Sequence, residues 1–183
     1  AAAAIPGPQR MLTPGLFGFE KIAPNTYAPE SMEPGRKRAV LRDLKLAAET
    51  VTTFYEKPLA MPWVFLCPAT SCDGPFGKKG ARGVAYGAHI VRLNDLGLNE
   101  VIATHELSHI ALKRRAGYWP SFIGEVPAWF DEGLATFLSR DNRYRDAYPN
   151  AVRADLQTAG PWWNWGDVIA RHNWQAAYGE SRN

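Results

Sequence analysis

The chain has 183 residues, enough for one domain with a small extension, and its 46% hydrophobic content with seven tryptophans can build a core. A net charge of +3 and a pI of about 8.9 make it mildly basic. Its densest basic clusters, Arg36-Lys37-Arg38 and Lys113-Arg114-Arg115, are short and read as solvated helix ends, so no nucleic-acid partner is expected. No apolar run approaches the roughly 18 residues of a membrane span.

Residues 1–35 are rich in Pro and Gly without a clear period, which predicts an extended N-terminal arm laid over the surface. Its opening "AAAAIPG" is too short for a signal peptide and lacks a basic flank, though it suits the remnant of a cleaved one. Residues 36–183 are then expected to form a single domain. In 36–57, Val40, Leu41, Leu44, Ala47, Ala48, Val51, Phe54 and Tyr55 recur at three- and four-residue steps, which predicts a helix stopped by Pro58. "WVFLC" at 63–67 suits a buried strand. Residues 73–83 read as a loop, and 84–94 as one strand or two pieces broken at Gly87. Cys67 and Cys72 in "CPATSCDG" are either a short disulfide-closed loop, which would place the protein in an oxidising compartment, secreted or periplasmic, or two buried thiols.

A second helix follows, with Asn94, Asp95 and Asn99 as possible N-caps and Gly117 as its stop. Leu98, Val101, Ile102 and Leu112, with Ile110 at the edge, predict its apolar stripe, and at 100° per residue His105 and His109 fall inside it. A third helix is expected over 127–139, "PAWFDEGLATFLS", with Pro127 in its first turn. The tail 151–183 has weak helical periodicity and the tryptophan-rich "PWWNWGDV".

The chemistry lies in "THELSHIAL". Residues four apart on a helix are about 40° apart in angle and about 6 Å apart along the axis, so His105 and His109 can converge on one ion. Glu106 lies about 100° round from His105, too far to ligate comfortably but placed to reach a water held by that ion, the position of a general base. The competing reading is a pair of satisfied core histidines, but clustering them with a carboxylate on a core face costs several kcal/mol unless they are paired or metal-bound. Two protein ligands do not complete a catalytic zinc site. "ALKRRAG" after His109 offers no third histidine, whereas Glu132 on the next helix, 23 residues on, can supply a carboxylate. Ala128, Gly133 and Ala135 around it are small and predict close approach of the two helices. A solvated helix carboxylate is the alternative for Glu132.

The sequence resembles a gluzincin, the clan of HExxH zinc peptidases whose third ligand is glutamate. "THELSHIAL" resembles the clan's active-site helix, and "WFDEGLATFL" is similar to its glutamate helix, including that of aminopeptidase-N relatives. The resemblance is specific over 84–140. It implies an α+β, zincin-like fold: a small mixed sheet packed on the active-site helix and a following glutamate helix. It implies one Zn²⁺ per chain held by His105, His109 and Glu132, with Glu106 as catalytic base and a peptide or protein as substrate. By resemblance, the strand at 84–94 is the sheet edge lining the cleft, to which an extended peptide adds. The chain lacks a GAMEN-like motif, which favours an endopeptidase over an aminopeptidase, and few residues follow the glutamate helix, as in a minimal catalytic domain.

A tyrosine well downstream of the ligand glutamate supplies the oxyanion donor in aminopeptidase-like members. Tyr178-Gly179-Glu180-Ser181 is similar, 46 residues after Glu132. His172 is the rival donor, as in thermolysin-like members, and a surface role for Tyr178 is the alternative. Two other functions compete: a non-catalytic gluzincin-like domain that holds a partner, and a structural zinc domain. The second needs a fourth ligand, for which His89 and His172 lack spacing to the helix.

Overall fold

The computed structural model describes residues 12–68, 81–117, 126 and 128–141. It is a mixed α+β fold in which a five-stranded sheet carries helices on one face. The strands are β1 (Phe19–Ala23), β2 (Thr26–Pro29), β3 (Trp63–Cys67), β4 (Gly83–Tyr86) and β5 (Ile90–Asn94), in the spatial order β1-β2-β3-β5-β4. The β1/β2 and β4/β5 pairs are antiparallel; β2, β3 and β5 run parallel to one another. The α-helices among the described residues are α1 (Pro34–Tyr55), α2 (Glu100–Ala116) and α3 (Ala128–Ser139). None of them is long and apolar enough to cross a membrane.

The segment read as an extended arm contains β1 and β2, a hairpin that joins the sheet through β3. Its turn places Asn25 at φ 58°, a left-handed conformation that Asn tolerates, and the Asn25 amide donates to Met61 O at 3.1 Å.

α1 starts two residues before the predicted helix. Pro34 opens its first turn, and the Glu33 carboxylate accepts hydrogen bonds from the backbone N–H groups of Gly35 (2.7 Å) and Arg36 (2.8 Å). Those bonds hold the Glu33 carboxyl below its ordinary value. Val40, Leu44, Ala47 and Val51 form its buried stripe.

β3 is central and buried on both faces, which is why its sequence is continuously apolar. Val64 and Leu66 join Val91 and Leu93 of β5 in the core beneath α1 and α2. Phe65 and Cys67 face the other way, where Phe65 stacks on Tyr27 with ring centroids 5.2 Å apart. Cys67 is buried there; its proposed partner, Cys72, lies outside the described residues.

Residues 84–94 resolve into the two-piece alternative: the chain turns at Gly87, whose φ is 56°, between β4 and β5. Asn94 caps the 3-10 turn Asp95–Gly97, and Asn99 is the N-cap of α2, its side chain accepting from Ile102 N at 3.0 Å. Asp95 instead pairs with Arg36.

The basic clusters are not merely solvated ends. Lys37 bonds Glu20 at 2.5 Å, Arg114 donates to Ala88 O (2.8 Å) and to Ala60 O, and Arg115 donates to Tyr55 O at 2.6 Å. The last two arginines tie the end of α2 to α1 and the strand connections.

Candidate metal centre

α2 is buried around most of its middle, and the stripe differs from expectation. Ile102, Ala103, Leu107, Ile110 and Ala111 pack into the core with the sheet and α1, while Val101 is exposed and Leu112 half-buried. Leu107 lies about 200° round from His105, so the histidines are not in the apolar stripe. They face α3 instead. A helix with apolar packing on one side and a polar site on the other has no single clean periodicity.

α3 packs against α2 and more lightly against α1. Ala135 is fully buried, as its small side chain suggested. Gly133 is exposed, and among the described residues a side chain there would meet nothing within 4 Å, so it does not mediate the approach of α3 to α2. Pro127 and the side chain of Ala128 lie outside the described residues.

This packing brings His105, His109 and Glu132 together, with one ligand atom from each lying within 4.8 Å of the others. Glu132 Oε2 is 3.3 Å from His105 Nε2 and 3.7 Å from His109 Nε2. Ligand atoms at about 2.0–2.2 Å from a tetrahedral zinc are about 3.4 Å apart, so these two edges already match a zinc shell. The two imidazoles stand nearly perpendicular, 78° between planes, with centroids 4.8 Å apart.

The Nδ1 atom of His109 hydrogen-bonds the Asp131 carboxylate, and both side chains are only 8% exposed. That bond fixes the ring so that Nε2 points at Glu132. It is the arrangement in which an outer carboxylate orients a metal-binding imidazole. The Nδ1 atom of His105 is buried and meets no hydrogen-bond partner among the described residues.

Glu106 is not part of the converging set; it is buried beside it, against Gly83 at the start of β4. Burial pushes its carboxyl above the ordinary value, against the opposing pull of the His109 and His105 charges. Burial alone would lower the His109 pKa, but the Asp131 hydrogen bond and the charges of Asp131, Glu132 and Glu106 outweigh it and raise the pKa above 6.5. For Glu132 burial works upward, yet the His105 hydrogen bond and the two histidine charges prevail and hold it below 4.5.

His89 lies at the β4–β5 turn, where its backbone carbonyl accepts from Trp63 N at 2.8 Å, and it does not belong to the converging group. Tyr178 and His172 lie outside the described residues. Sequence reasoning missed Asp131 and Gly83. Asp131 had a visible signal, a carboxylate next to the candidate ligand Glu132 on the helix facing the histidines. No protein-family model matches the chain, and neither does any curated protein or solved structure.

Proposed function

We propose that the protein is a zinc-dependent peptidase of the gluzincin type, with a zincin-like fold. The observation that carries this reading is the convergence of His105, His109 and Glu132, with Glu132 Oε2 at 3.3 Å and 3.7 Å from the two imidazole Nε2 atoms, spacings a tetrahedral ion can bridge. Two imidazoles and one carboxylate are a donor set that suits zinc and leaves one coordination position open. A zinc ion bound there supplies Lewis-acid polarisation of a carbonyl and lowers the pKa of a water towards 7.

The chain's own residues do the rest. Glu106 takes the proton of the attacking water and delivers it to the leaving amine. Its burial beside the converging set suits that exchange, because a general base must lie within reach of the proton it takes. Asp131 holds the imidazole of His109 and strengthens it as a donor. Among the described residues β4 pairs only with β5, and an extended peptide adding to its other edge would run past Glu106. Tyr178, or His172 in its place, would donate to the developing oxyanion.

The test is hydrolysis of an unstructured protein such as casein by the zinc-loaded chain, with Glu106→Gln as control. Cleavage lost in Glu106→Gln with zinc retained supports the reading. Equal cleavage by both proteins refutes the base. Zinc binding without cleavage of any peptide in a broad library favours the partner-holding alternative.

A further inference from the structure

We propose that Gly83 is the positioning residue for Glu106: its missing side chain is the space that the carboxylate arm occupies. A Cβ built on Gly83 would lie 2.5 Å from Glu106 Oε1, 2.6 Å from Cγ and 2.8 Å from Cδ. Three consecutive positions along the Glu106 side chain therefore lie against the bare backbone of β4. Real Cβ contacts are not that short, so any other residue at position 83 forces something to move.

What moves is determined by the surroundings. Gly83 is not among the glycines with positive φ, so its backbone conformation is open to an alanine. Its place in the sheet is set by pairing with Leu93 of β5. Just before it, the carbonyl of Arg82 accepts from Asn94 N at 2.8 Å. The same carbonyl packs on Gly97 so closely that a side chain there would collide with it. β4 is therefore held at this point by β5 and by the turn that follows it. Glu106, in contrast, ends in rotatable bonds, so the carboxylate yields first.

The strand edge thus fixes where the carboxylate sits, while α2 fixes only its Cα. The three atoms nearest a Cβ at position 83 all belong to Glu106, so that side chain, rather than the converging set of His105, His109 and Glu132, meets the clash first. The catalytic consequence rests on the peptidase reading; the displacement of Glu106 does not.

The experiment is a double-mutant cycle between Gly83→Ala and Glu106→Ala, read by thermal unfolding, with a crystal structure of Gly83→Ala. In the native background Gly83→Ala should lower the melting temperature. In the Glu106→Ala background it should leave it unchanged or raise it, because glycine in a strand is entropically unfavourable. The structure should show the Glu106 carboxylate in a new rotamer, with the two histidines and Glu132 unmoved. Equal destabilisation in both backgrounds, or a carboxylate that stays where it is, overturns the proposal. If Gly83→Ala alone does not fold, recovery of folding in the double variant supports it, and continued failure to fold overturns it.

For the active enzyme, Gly83→Ala should keep zinc affinity within about twofold and lower kcat by about 10²-fold with KM little changed, the scale of a 1 Å misplacement. Full kcat in Gly83→Ala overturns the positioning role. A wild-type chain without activity refutes the peptidase reading alone, and the unfolding cycle still decides the position of Glu106.

Discussion

Asp131→Ala removes the carboxylate bonded to His109 Nδ1, and its effect can be worked from the pair's surroundings. Both side chains are 8% exposed, so salt and water screen the bond little. A hydrogen bond to a charged group contributes about 1.5–3 kcal/mol, and each 1.4 kcal/mol is tenfold in an equilibrium constant. Zinc affinity should therefore fall roughly 10–100-fold, the range seen when the outer partner of a metal-binding histidine is removed. Asp131→Asn keeps an acceptor and loses the charge, so its loss should sit near the lower end, about tenfold. The assay is competition for zinc against a chromophoric chelator at pH 7.5, with circular dichroism to confirm that each variant is folded. A folded Asp131→Ala protein that binds zinc within about twofold of wild type would refute the role of Asp131.

Three further outcomes are expected. In metal-free protein the pairing of His109 has a folded pKa raised above 6.5, so its stabilisation is fully present below pH 6.5 and is lost as pH rises through the raised value. Urea unfolding of wild type and His109→Gln across pH 5–9 checks this; a gap that widens with rising pH contradicts it. Tyr178→Phe should lower turnover about 10²–10³-fold with zinc content unchanged. Wild-type turnover in that variant would transfer the donor role to His172, tested in the same way by His172→Ala. Cys67 and Cys72 should form a disulfide worth at most about 2–3 kcal/mol, and two alkylatable thiols in unreduced protein, read by mass spectrometry, would contradict it.

The sequence made some parts legible because their determinants are local. The helical stripe Val40-Leu44-Ala47-Val51, the Asn99 cap and the four-residue spacing of His105 and His109 each depend on neighbours along one helix. β1 and β2 were hidden because they are four- and five-residue strands amid Pro and Gly, and their place depends on pairing with β3, more than thirty residues away. The apolar face of α2 was misassigned for a related reason. Its polar side is also buried, against α3, so burial does not follow hydrophobicity around the helix. Glu132 could be found from its context, but Asp131 and Gly83 act through space. A carboxylate on α3 meets an imidazole on α2, and a glycine on β4 makes room for a glutamate on α2. Gly133, prominent in the sequence, meets no neighbour among the described residues.

The most direct test is anomalous diffraction at the zinc edge from crystals of the zinc-loaded protein. The account predicts one strong peak per chain, within about 2.0–2.2 Å of His105 Nε2, His109 Nε2 and a Glu132 carboxylate oxygen, with a water in the remaining position and Glu106 beside that water. No peak at this position, or a fourth protein ligand closing the shell, would contradict it.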